Sequence, residues 1–222
     1  VASWLHDCGK ITTPEHVVDK ATKLELIYNR IHEVRMRFEV LKRDAEIAHL
    51  RRLGHGQPEA ESRAHLLAEW QALDADFAFV AACNQGGEAS SPDARARLQQ
   101  IAARTWQRTL DDTLGLSQEE RLRRKDKVPQ PLPATEPLLA DQPWHHIERQ
   151  PRDTMPAGNR WGFTMKVPAL LYDQGELHNL SVERGTLTDE ERFKINQHIV
   201  QTEVMLTQLP FPPHLRRVPE IA

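Results

Sequence analysis

Apolar residues Leu24, Ile27, Ile31, Val34, Phe38, Leu41, Ala45 and Ala48 recur at alternating intervals of three and four positions, with Lys, Arg and Glu on the flanks. A seam of that period, held over this length, predicts a long helix that packs in coiled-coil fashion. Gly54, Gly56 and Pro58 interrupt it, and Leu66, Trp70, Leu73, Phe77 and Val80 resume the same alternation. Two seamed helices joined by a short Gly/Pro turn predict an antiparallel hairpin. Asn84-Gln85-Gly86-Gly87 ends the second helix, and Ser91-Pro92-Asp93 opens a third with a serine cap and a proline in its first turn. Its apolar face runs through Leu98, Ile101, Trp106 and Leu110. Ser117 with Glu120 forms a capping-box signal for a short charged helix from Gln118 to Arg124.

Between Val128 and Pro168 stand Pro129, Pro131, Pro133, Pro137, Pro143, Pro151, Pro156 and Pro168. No regular helix survives that density, which predicts an extended, surface-tracking connection. Leu180-Ser181-Val182-Glu183 reads as a short strand or extended segment, and Gly185 turns the chain. Thr188 with Glu191 then caps a helix bearing Phe193, Ile195, Ile199, Val204, Met205 and Leu206, which stops before Pro210. At the other end, Val1, Trp4 and Leu5 share one helical face, and Thr13 caps a short helix from Pro14 to Val18. These periods predict an all-α fold.

Composition narrows the class. With 222 residues, 39% of them hydrophobic and 27% charged, and a net charge of -3, the chain has enough apolar residues for a core. Its near-neutral balance argues against a general nucleic-acid binder, so phosphate recognition would be local to a site. Cys8 and Cys83 form no CxxC pattern, which fits a reducing, cytoplasmic setting. No apolar run approaches the roughly 18 residues of a membrane span, although other segments of a parent protein could anchor it. The chain lacks an initiator Met and reads as a piece of a larger protein.

The candidate chemistry lies in His6-Asp7-Cys8-Gly9-Lys10-Ile11. Adjacent His and Asp suit a divalent-metal site, since one offers a neutral nitrogen and the other a charged oxygen able to bridge two ions. Gly9 lets the backbone turn sharply, and Lys10 offers a positive charge for phosphate. The ordinary alternative makes His6 a satisfied core histidine and Asp7 a cap. His145 and His146, in the Pro-rich segment, are poor ligand candidates because such loops seldom hold two ligands rigidly. His32 reads as a flank residue of the seam, and His16 and His178 as outer neighbours of the site. The basic run from Arg121 to Lys127 is interrupted by Leu122 and Asp126 and reads as a solvated helix face.

The string from His6 to Ile11, with Pro14 and Lys20 beyond it, resembles the signature of the HD phosphohydrolase superfamily, and specifically its HD-GYP branch of cyclic di-GMP phosphodiesterases. Gly185-Thr186-Leu187-Thr188-Asp189-Glu190-Glu191-Arg192, leading to Ile195-Asn196-Gln197-His198, is similar to the family segment that presents the next metal-ligand histidine from a helix. The resemblance implies metal-ligand roles for His6, Asp7 and His198, with Asp7 a possible bridge, and a substrate-phosphate contact for Lys10. It also implies two or three divalent ions, iron or manganese; the ligand types alone would suit nickel or zinc as well. The family draws further ligands from an upstream helix, a later His-His pair and a later Asp, and carries a Gly-Tyr-Pro motif. None of these is located in this chain.

The expected organisation is a first HD-core segment over 1–22, a helical hairpin insertion over 23–127, a Pro-rich irregular connection over 128–176 and a second HD-core segment over 177–222. The expected function is metal-dependent hydrolysis of cyclic di-GMP, with Asp7 and Lys10 as catalytic residues. Alternatives are another HD-superfamily nucleotide phosphohydrolase, or a degenerate HD domain serving as an interaction module that dimerises through the hairpin.

Overall fold

The computed structural model describes residues 1–86, 91–153, 158–159 and 162–221; Gly87 and Pro156, read above as breakers, fall outside them. The chain opens with a single turn, α1 (Ala2–Leu5), a 3-10 turn over Cys8–Thr12, and α2 (Glu15–Val18). Pro14, not Thr13, occupies the N-cap of α2, and no side chain caps it. The Pro14 carbonyl instead accepts the N–H groups of Val17 and Val18.

The predicted hairpin is α3 (Ile31–Gly54) and α4 (Glu59–Asn84). Their antiparallel pairing shows in three contacts: Phe38 meets Phe77 edge-on at 5.4 Å, Trp70 Nε1 donates to the Lys42 carbonyl at 3.2 Å, and His49 bonds Ser62 at 2.7 Å. Ile31, Val34 and Phe38 on one helix and Leu66, Leu73 and Val80 on the other are buried, as the seam requires. The first helix, however, starts at Ile31 instead of Leu24. Arg30 donates to the carbonyls of Leu24 and Gln174, and the Leu24 N–H is taken by Asn84 Oδ1 at 2.7 Å. Partners distant in sequence hold these residues as a turn, leaving Ile27 92% exposed.

Ser91 caps α5 (Pro92–Ala102) through the Ala94 N–H. The helix stops there, well short of Trp106, because Thr105–Arg108 forms strand β1. After α6 (Gln118–Arg123), which carries the predicted Ser117–Glu120 capping box, β2 (Ala134–Pro137) pairs antiparallel with β1, placing Trp106 opposite Glu136. A second ribbon joins β3 (His146–Glu148) to β4 (Leu170–Asp173). The expectation of an all-α fold is thus corrected to a largely helical chain with, among the described residues, two small antiparallel ribbons. Proline forbids helix here, but residues between prolines keep N–H and C=O groups that short edge strands can pair.

The segment after β4 forms α7 (Glu176–Leu180), capped by Ser181. Of the stretch expected as a strand or extended segment, Leu180 ends this helix and residues 181–183 are turn and irregular backbone, in no strand. The last predicted helix is broken at Gln197 into α8 (Asp189–Asn196) and α9 (His198–Thr207), followed by α10 (Val218–Ile221). The Thr188–Glu191 capping box is present at the start of α8.

Contacts gather the chain into two compact units, one of residues 1–21, 146–173 and 187–222, the other of 22–145 and 174–186. In the first, Phe193 is fully buried beneath Phe163 and the Arg149 guanidinium. Lys20, also buried, bonds both Glu191 oxygens at 2.9 and 2.8 Å. The core of the second joins the hairpin seam to Leu98 and Ile101 of α5, to Leu138 and Leu139 after β2 and to Leu180 of α7. Arg37 of α3 grips the buried Glu176 at both oxygens, 2.8 and 2.9 Å away. Among the described residues no helix is long and apolar enough to cross a membrane.

Candidate metal centre

His6 closes the single turn of α1 and Asp7 opens the following 3-10 turn, so the two adjacent side chains project from a corner of the backbone. Gly9 is what lets that corner approach α9. A Cβ on Gly9 would lie 2.1 Å from the His198 carbonyl oxygen and 2.6 Å from the Thr202 nitrogen. Only a residue without a side chain fits against the helix there. The contact is fastened by the Thr202 hydroxyl, which accepts the Gly9 N–H at 2.9 Å and donates to the His6 carbonyl at 3.2 Å.

This docking brings His198, at the first turn of α9, to the His-Asp pair. His6 Nε2 lies 3.3 Å from Asp7 Oδ2, and His198 Nε2 lies 3.4 Å from Asp7 Oδ1. Each imidazole is oriented from behind. His6 Nδ1 bonds the Ser3 carbonyl at 2.9 Å and His198 Nδ1 bonds the Ile195 carbonyl at 2.5 Å. A carbonyl only accepts, so each Nδ1 carries the proton of that bond. In a neutral ring this leaves the Nε2 lone pair facing a carboxylate oxygen. Two lone pairs directed at the two oxygens of one anion repel it, unless cationic charge joins them. The donor set therefore fits a divalent metal in kind: neutral nitrogens with their tautomer fixed by a carbonyl, and an ionised oxygen pair.

Lys10 supplies cationic charge at this point, with Nζ 2.7 Å from Asp7 Oδ2. That hydrogen bond is the main cause holding the Asp7 carboxyl below the usual carboxylate range; desolvation opposes it, and the charge of Lys10, with that of His6 and His198 when their rings are protonated, adds to it. Among the described residues, no group of three or more His, Cys, Asp or Glu side chains stands arranged to hold a metal ion. Lys10 occupies one Asp7 oxygen and would have to leave it for a metal to bind there. Three donors also fall short of the four to six that the usual metals take.

His6, His198, Thr202 and Glu203 line a cavity of about 510 Å³ in the first unit. Of the other histidines, His16 packs against Tyr172 with ring centroids 6.3 Å apart, and burial pushes the Tyr172 phenol up to about 12. His146 lies 3.6 Å from Asp173. His145 and His178 belong to the second unit, where the His178 N–H is held by Asp141. Sequence reasoning passed over Thr202 and Glu203. For Thr202 a signal existed: it follows His198 by four residues, one helical turn along the same face.

A family model described as an HD domain matches residues 133–222, a stretch that includes His198 and Thr202 and stops short of His6 and Asp7. Searches of curated proteins and of solved structures gave no match. The C-terminal part of the chain, residues 133–222, is accordingly similar to an HD-superfamily phosphohydrolase domain.

Proposed function

We propose that this chain contributes His6, Asp7 and His198 as metal ligands to an HD-type phosphohydrolase of the HD-GYP branch, which hydrolyses a phosphodiester bond of cyclic di-GMP. The observation that carries this reading is the pair of imidazoles, each fixed by a backbone carbonyl, that turn Nε2 toward opposite oxygens of Asp7. The resemblance of the His6–Ile11 and Gly185–His198 strings to HD-GYP sequences supports it, as does the HD domain match. Divalent ions, when bound, supply positive charge for the phosphoryl oxygens and lower the pKa of water toward neutrality. The chain's own residues do the rest. Asp7 offers an oxygen to each side, His6 and His198 hold fixed tautomers, and Lys10, 41% exposed, can turn from Asp7 to a substrate phosphate.

The test is metal content and cyclic di-GMP hydrolysis by the protein that contains this chain, compared with its Asp7→Ala variant. Loss of both in the variant is expected; retention of wild-type metal content and turnover would sink the assignment. Nucleoside monophosphates, assayed in parallel, separate this activity from that of another HD nucleotide phosphohydrolase. A second reading, a degenerate HD domain that pairs with another copy through α3 and α4, is favoured by the satisfied Lys10–Asp7 bond. It predicts a wild-type protein that takes up no iron or manganese and sediments as a dimer.

A further inference from the structure

The second unit contains a cavity of about 280 Å³ whose walls come from α3, β1, β2, α7 and the segments after β1, α6 and β2, with the carboxylates Glu33, Asp112, Glu136 and Glu176 among its lining. Two tryptophans line it, and each poses a question. The Trp106 indole Nε1 is buried and has no hydrogen-bond partner among the described residues. A buried donor left so costs about 1–3 kcal/mol, which an acceptor in the cavity would remove. Trp144 faces two cations at once: the Arg124 guanidinium lies 5.0 Å and the Lys127 ammonium 4.7 Å from its ring centroid.

The charges are unevenly matched at this end. Asp112 is the carboxylate shared by Arg108 at 3.4 Å, Arg124 at 3.2 Å and Lys127. Arg108 has a second carboxylate in Glu136, 2.6 Å away. Arg124 and Lys127 divide Asp112 between them, and the Glu120 carboxylate acts on Arg124 as well. Both cations are mostly buried, at 21% and 14% side-chain exposure, where like charges repel more strongly than in water. The cavity's other carboxylates face other cations, Glu33 and Glu176 beside Arg37 and Glu136 beside Arg108. The basic run that the sequence alone shows as a solvated helix face thus ends with two cations turned onto Trp144 and toward this cavity.

We propose that this cavity binds a small organic anion, with its carboxylate or phosphate group between Arg124 and Lys127 and an acceptor on its body for the Trp106 N–H. Its volume lies just under the ~300–1,000 Å³ of sites for drug-sized molecules. A compact metabolite fits and a dinucleotide does not.

Isothermal titration of the whole chain with benzoate and with inorganic phosphate, against neutral benzamide and cationic benzylamine, tests this. Saturable binding of at least one anion is expected, with the neutral and cationic probes weaker by roughly tenfold or more. The anion that binds more tightly tells whether the site takes carboxylates or phosphates. Lys127→Gln should weaken the anion about tenfold with unchanged circular dichroism. Trp106→Phe, which keeps the ring, should weaken benzoate by roughly two- to tenfold. Absence of saturable anion binding, equal affinity for benzamide, or wild-type affinity in both variants would overturn the proposal.

Discussion

The hydroxyl of Thr202 accepts the backbone N–H of Gly9 at 2.9 Å, tying the turn that carries His6 and Asp7 to the helix that carries His198. Replacing it with valine keeps the shape and strands a buried N–H. Thr202→Val should therefore lose about 1–3 kcal/mol of stability and, if the proposed site binds metal, weaken that binding in the folded protein. Thr202→Ser should restore both. Denaturant titration and metal titration check the pair, and a serine variant as impaired as the valine one would deny Thr202 this positioning role.

Gly9→Ala tests the same junction from the other side. The added methyl meets two backbone atoms of α9, the His198 oxygen and the Thr202 nitrogen, neither of which can swing away as a side chain would. A loss of about 1–3 kcal/mol or more is expected from the forced shift, read as a lowered melting temperature. A melting temperature equal to wild type would show that the turn does not need its glycine.

Lys20 and Glu191 form a buried ion pair, and Glu191 also accepts the Thr188 N–H at 2.9 Å. Removing one partner leaves an uncompensated charge, so Lys20→Met should cost about 3–5 kcal/mol. Adding Glu191→Gln, which keeps an acceptor for Thr188, should recover part of that loss. Urea unfolding of the two variants distinguishes this outcome from simple additivity.

Glu176 gives the second unit an acid-sensitive link. Burial pushes its carboxyl up, but the hydrogen bonds and charge of Arg37, with the Ala140 N–H and the Arg30 charge, outweigh burial and hold it below its ordinary value of 4.5. A depressed folded pKa contributes stability that is present above that ordinary value and lost as pH falls through the lower folded one. Glu33 opposes this, since burial raises its carboxyl above 4.5 and its contribution fades as pH rises. Glu176→Gln should be less stable than wild type at neutral pH and should lose less on acidification below pH 4.5. Parallel acid limbs for the two proteins would refute the linkage.

Local rules account for what could be read in advance. Both capping boxes, Ser117–Glu120 and Thr188–Glu191, form as spaced, because each needs only residues three apart. The α3–α4 hairpin followed from its seam, because alternating apolar residues have one way to leave water together. The ends of elements were less legible. Trp106 was placed on a helix face, yet it lies in a strand because β2, nearly thirty residues on, pairs with it.

For the candidate site the division is similar. The residue types His6, Asp7, Lys10 and His198, and their likeness to HD-GYP strings, were visible in the sequence. That Lys10 bonds Asp7 was not, and Thr202, although one turn from His198 on the same face, could not be matched to Gly9 in advance because the two stand 193 positions apart.

By itself, then, the sequence determined the helices whose periodicity and caps are local, and supplied a nitrogen-oxygen donor set in two distant strings. Tertiary structure alone decided that Gly9 and α9 touch, that two imidazoles face one carboxylate, and that Arg124 and Lys127 turn inward onto Trp144. These are pairings across many residues, chosen by which buried polar groups could satisfy one another once the chain had closed.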